Sequence, residues 1–162
     1  MLDPKKLIAG NLAELLHTHK QAVAGILGIA CEPELFKRLS AAGINFRRVT
    51  DRKNAADLII GESRIQVKMI SSKIKRDDHI QLRMRRGHGT PRFYAIADVD
   101  EFIFCNTDNK DLGDFFRIHG KEIIRLATEN RYNNSKLSSR PDFYPVVITI
   151  HRDELKKYEM KI

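Results

Sequence analysis

Residues 57–70, DLIIGESRIQVKMI, constrain the fold of this chain more tightly than any other stretch. Two short runs rich in Ile and Val flank Gly61-Glu62, which is the pattern of a β-hairpin whose glycine takes positive φ. With Gly61 at the first central position of a two-residue II′ turn, Ile60 pairs with Ser63 and Asp57 falls opposite Gln66. Lys68 is then a diagonal neighbour roughly 7 Å away. A turn one residue later, at Glu62-Ser63, sets Asp57 opposite Lys68 instead. Alternation holds in either register, so Ile65, Val67 and Met69 share one face while Asp57, Gln66 and Lys68 share the other.

The remaining pattern predicts helices and strands around that hairpin. Asp3-Pro4 reads as an N-cap with proline in the first helical turn, and Leu12, Leu15, Leu16, His19, Val23, Ile26 and Leu27 recur at helical spacing, so a first helix is expected over about 4–28. His19 is read as a packed residue at the core edge. Glu32-Pro33 opens a second helix, 33–42, with Leu35, Phe36 and Leu39 inward and Gly43 as its stop. Strands are expected at 45–50 and 101–106 (EFIFCN), a helix over 112–129, a strand over 145–150 (PVVITI) and a short helix over 152–158. Strands mixed with flanking helices define an α/β protein with a central mixed sheet. No repeat or linker divides the 162 residues, which suit a single domain, 1–162, with a core of its own.

Composition narrows the partners. Twenty-nine Lys and Arg against 21 Asp and Glu give a formal charge of +8, which favours a polyanion such as nucleic acid. Residues 73–92 carry Lys73, Lys75, Arg76, Arg83, Arg85, Arg86 and Arg92 against Asp77 and Asp78, more than half of that excess. Cys31 and Cys105 lack CxxC spacing and read as buried free thiols of a reducing compartment, not as a disulfide or zinc site. The N-terminus has no apolar signal core, and there is no run of about 18 apolar residues, so a soluble cytoplasmic protein is expected.

A carboxylate, an amide oxygen and an ammonium on one sheet face suit phosphodiester hydrolysis. Oxygen ligands hold a hard divalent cation, and cation and lysine together favour a hydroxide nucleophile and the charge of the transition state. The plainer reading is a cross-strand ion pair between Asp57 and Lys68 on a solvated face.

ADLIIGESRIQVK (56–68) resembles the core motif of PD-(D/E)XK nucleases, an Asp on one strand followed by (D/E)xK on the next. EPELFKRLSAAGI (32–44) is similar to the helix that archaeal Holliday junction resolvases and many restriction endonucleases place ahead of it, with Gly43 eleven residues after Glu32. The resemblance covers about 31–70 and implies a restriction-endonuclease-like core. It implies Asp57 as a metal-binding Asp, Gln66 at the second acidic ligand, Lys68 as the catalytic lysine and Glu32 as the helix glutamate. It implies Mg²⁺ as cofactor, with Mn²⁺ able to substitute. Ala56 stands where the motif has proline, and Gln66 replaces Asp or Glu, a weaker neutral ligand that makes Glu32 more important for charge balance. Glu34 is the rival for Glu32, set on a different side of the helix; Glu62 reads as solvated.

The basic segment 73–92 follows the lysine strand directly, where such nucleases contact substrate. Lys73, Lys75, Arg76, Arg83, Arg85, Arg86 and His88 are the expected DNA-binding residues, through phosphates or bidentate contacts to guanine. The alternative is a solvated edge strand guarded by charge. Asp98 and Asp100 read as loop and capping residues. The expectation that follows is a small type II restriction endonuclease acting as a homodimer on a palindrome. A Holliday junction resolvase, a homing endonuclease, an RNA-cleaving toxin domain or a non-catalytic nucleic-acid-binding module shares the same signals.

Overall fold

In a computed structural model the described residues are 20–51, 53–70, 78–86, 93–107, 111–129 and 141–162. They form α1 (Lys20–Ala41), β1 (Arg47–Arg48), β2 (Leu58–Ile60), β3 (Ser63–Met69), β4 (His79–Arg83), β5 (Glu101–Cys105), β6 (Phe115–His119), α2 (Gly120–Glu129), β7 (Val147–His151) and α3 (Arg152–Lys156). The protein is α/β. Its larger sheet has the order β1-β2-β3-β5-β6 and is mixed, because β3 and β5 run parallel while the other neighbours are antiparallel. Strands β4 and β7 pair antiparallel as a second, two-stranded sheet.

The hairpin forms in the register set by Gly61, with Ile60 opposite Ser63 and Leu58 opposite Ile65. Gly61 has φ +61°, the value a II′ turn demands at that position and one that costs glycine nothing. From there the alternation of side chains assigns both faces. Leu58, Ile65, Val67, Ile103, Cys105 and Phe115 pack with Cys31, Leu35, Phe36 and Leu39 of α1 in one cluster. Phe102, Phe104, Phe116 and Ile118 face the other way, onto Ile80 and Leu82 of β4, Ile148 and Ile150 of β7, Ile123 of α2 and Leu155 of α3. Every residue of β5 is buried, as expected of a strand covered on both faces. Cys31 and Cys105 are buried and joined in no disulfide.

Two expectations are corrected. No helix begins at Glu32-Pro33: α1 runs unbroken through Pro33 to Ala41. An internal proline forfeits a helical hydrogen bond at about 3 kcal/mol. Burial of Leu35, Phe36 and Leu39, at about 1.5–3 kcal/mol each, outweighs that loss and holds the helix together. The stop at Gly43 does form, with φ +71° and the paired bonds Gly43 N to Ser40 O and Ile44 N to Leu39 O that close a helix end. Residues 4–19 of the expected first helix, His19 included, lie outside the described residues.

Residues 112–129 are not one helix, because Phe115–His119 pairs with β5 before α2 begins at Gly120. Phe115 and Phe116 bury on opposite faces, which erases the polar-apolar alternation that would have marked a strand. Strand β4 lies inside the basic segment, where Ile80 and Leu82, with Met84 just beyond its end, anchor it in the core and it pairs with β7. Lys73, Lys75, Arg76, His88 and Arg92 lie outside the described residues.

Candidate active site

Asp57 sits where β2 gives way to the loop before it. Its backbone N–H still reaches Ile65 O at 2.8 Å and its carbonyl accepts from Val49 N at 2.8 Å, so the main chain is fixed from both sides. The side chain turns back on β3, where Oδ2 accepts from Val67 N at 2.9 Å and from Gln66 Nε2 at 2.6 Å. The carboxylate thus continues the strand ladder past the end of β2, satisfying a backbone donor that would otherwise be orphaned.

Gln66 is only 8% exposed. Its Nε2 donates both to Asp57 Oδ2 and to Val67 O, the latter at 3.0 Å. Two acceptors on one side require the nitrogen there, so the amide presents a donor toward Asp57 and not the oxygen expected of a ligand.

Lys68 points from the same face and ends elsewhere. Its ammonium donates to Arg85 O at 3.1 Å and lies 4.9 Å from the centre of the Tyr94 ring. Asp57 and Lys68 therefore feel one another's charge without closing the cross-strand ion pair of the plain reading. Burial lowers the Lys68 pKa, Asp57 opposes that shift, and Arg86 adds to it. Burial likewise pushes the Asp57 carboxyl up to about 6; the Val67 N–H opposes this, the Glu32 charge adds to it and Lys68 opposes it. Tyr94, buried beneath the ammonium, is raised from its ordinary value chiefly by that burial.

Glu32, on α1, is the helix carboxylate that bears on Asp57. Glu34 is engaged otherwise, accepting from Arg38 Nε at 3.1 Å one helical turn on. Asp98 and Asp100 lie away from this group: Asp100 takes the backbone N–H and guanidinium of Arg64 at 2.8–2.9 Å and ties the start of β5 to β3. Glu62 is exposed at the turn. The structure thus brings Asp57, Gln66 and Lys68 together, with Glu32 alongside.

Arg85 and Arg86 reach the same place, Arg85 through its carbonyl and Arg86 through its charge, whereas Arg83 is exposed on β4. Two further neighbours carried no signal in the sequence. Tyr94 stands in a stretch without periodicity, and Lys53 offers its carbonyl to the Arg86 guanidinium at 3.4 Å.

The donor set fits a hard cation in part. Two carboxylates close enough to repel, one of them buried with a raised pKa, are what a divalent cation relieves. Among the described residues, though, no group of three or more His, Cys, Asp or Glu side chains comes together as a metal site. Gln66 would have to turn its amide over to add an oxygen. No protein-family model matches the chain, and no curated protein or solved structure matches it either.

Proposed function

We propose that the chain is a metal-dependent endonuclease with a restriction-endonuclease-like core of the PD-(D/E)XK kind, hydrolysing DNA phosphodiester bonds. The observation that carries this reading is the Lys68 ammonium, half-buried on the face of Asp57, within reach of its charge, and held by a carbonyl and an aromatic ring instead of an ion pair. Burying an ammonium without closing an ion pair costs stability, and such cost is characteristic of groups kept for chemistry. In this reading Asp57 and Glu32 would hold a Mg²⁺ ion, for which Mn²⁺ could substitute, and which when bound would supply Lewis-acid activation of the scissile phosphate and of the attacking water. Lys68 orients that water and stabilises the charge that grows on the phosphate. Gln66 holds Asp57 in place through its amide and becomes a ligand only on turning over.

Of the biological roles, a small type II restriction endonuclease acting as a homodimer is the one proposed, with a Holliday junction resolvase or homing-type enzyme sharing the centre. A second reading has one specific observation behind it. The Gln66 nitrogen facing Asp57 suits a nucleic-acid-binding module whose centre no longer loads metal. Digestion of plasmid and of four-way junction DNA with Mg²⁺ separates these. Discrete bands support the restriction enzyme, cutting confined to junctions supports the resolvase, and binding without cutting supports the module.

A further inference from the structure

Apart from Arg152 at the start of α3, the described arginines fall into two groups. Arg38, Arg64, Arg117 and Arg125 each close an ion pair with a carboxylate. Arg47, Arg48, Arg83, Arg85 and Arg86 make none with any described residue, and all except the half-buried Arg86 are exposed. Unpaired cations of like sign repel, so their clustering calls for a polyanion to offset it.

Their placement is not scattered. Along β4 and the two residues after it, the buried Ile80, Leu82 and Met84 alternate with the exposed Arg83 and Arg85. The chain then passes the candidate centre, where Arg85 O receives the Lys68 ammonium and Arg86 reaches across to Lys53 O. Lys53 is exposed in the loop between β1 and Asp57, and that loop is tied to the centre by Val49 N donating to Asp57 O.

On β1, Arg47 pairs with Ile59, which places its side chain on the same face as Asp57, Gln66 and Lys68. Arg48 takes the opposite face, its guanidinium 4.6 Å over the Phe36 ring. Among the described residues no strand pairs with the outer edge of β1, and Arg47 is exposed there.

We infer that Arg47 and Lys53 form a second arm of a DNA-binding surface, continuing from Arg83, Arg85 and Arg86 past the Asp57–Lys68 centre, the two arms meeting where the Arg86 guanidinium reaches Lys53 O. This rests on the reading of the chain as one that acts on DNA, and names where the backbone crosses it. Strand β1 stands two ladder steps from β3, roughly 10 Å, a span over which one strand of duplex DNA presents about three phosphates. A backbone gripped by both arms is thereby laid over the carboxylates and the lysine. The guarding of an edge strand by charge accounts for Arg47 alone, but not for Lys53 and Arg86 meeting across the centre.

Fluorescence anisotropy of a labelled DNA duplex in metal-free buffer tests this without any cleavage. Against the parent chain, the double substitution Arg47→Gln with Lys53→Gln is expected to weaken binding about 10-fold near 100 mM salt and to lower the slope of log K against log salt by about 2. Lys121→Gln on α2, an exposed cation remote from both arms, is expected to change neither, and circular dichroism of all three proteins controls for folding. An unchanged affinity and slope in the double variant overturns the second arm. So does a parent chain that binds an RNA duplex of the same sequence but not the DNA. Failure of the nuclease reading shows up separately, as DNA binding with the expected slopes but no cutting once Mg²⁺ is added.

Discussion

Gln66 donates its side-chain amide to Asp57 Oδ2 at 2.6 Å, and the same oxygen takes the backbone N–H of Val67 at 2.9 Å. Both bonds fall on one oxygen of a largely buried carboxylate. The arrangement both caps a strand and positions Asp57, and the two roles separate by experiment.

The raised Asp57 pKa has a defined sign for stability. Folding lifts the carboxyl from 3.8 to about 6, mainly by burial, so the folded state binds the proton more tightly than the unfolded chain. Its favourable contribution is therefore complete below about pH 4 and is lost as pH rises to about 6. Two pH units correspond to about 3 kcal/mol. Asparagine keeps the one oxygen that accepts both bonds and removes the charge. In metal-free buffer Asp57→Asn is expected to exceed the parent in stability at about pH 8, by about 1–3 kcal/mol, with the advantage vanishing near pH 4. Urea unfolding at the two pH values reads this, and a variant weaker than the parent at pH 8 contradicts it.

Gln66→Glu replaces a donor by an acceptor that faces Asp57 Oδ2 and Val67 O. Without cation the variant is expected to lose about 2–3 kcal/mol of stability, because two oxygens meet an unprotonated third. Added Mg²⁺ or Mn²⁺ should restore it, with tighter metal binding than in the parent. Calorimetric titration and metal-dependent melting check both halves. A variant that melts low and ignores metal shows that Gln66 serves the fold alone.

Arg117 clasps Glu101 through two bonds at 2.6 and 2.8 Å, joining the edge strand β6 to β5. Glu101 is 8% exposed, so losing its partner leaves a buried charge; the partly exposed guanidinium moderates the effect. Arg117→Met is expected to cost about 2 kcal/mol in chemical denaturation while leaving DNA affinity unchanged. Stability equal to the parent would mean that the remaining side-chain hydrogen bond from Ser63 is enough for Glu101.

Where a residue's local geometry had one solution, the sequence was legible. Gly61 sets the hairpin register and Gly43 ends α1, so the face shared by Asp57, Gln66 and Lys68 followed from alternation alone. Pro33 misled because helix propensity is weak beside the burial of Leu35 and Leu39. Strand β6 was hidden because Phe115 and Phe116 bury on opposite faces. The amide orientation of Gln66, the Tyr94 ring under Lys68 and the Arg86 bridge to Lys53 depend on long-range contacts that no local pattern records.

Cleavage of duplex DNA by the parent chain and by Lys68→Ala, followed in Mg²⁺ under single-turnover conditions, tests the proposed chemistry most directly. The ammonium acts on the phosphate in this account, so the parent cuts, chelation stops it, and Lys68→Ala cuts on the order of 100–1,000-fold more slowly. Binding of the uncut duplex should change little, since the cationic arms remain. A parent chain that binds DNA but never cuts it with Mg²⁺ or Mn²⁺, or a Lys68→Ala variant that cuts at the parental rate, contradicts the account.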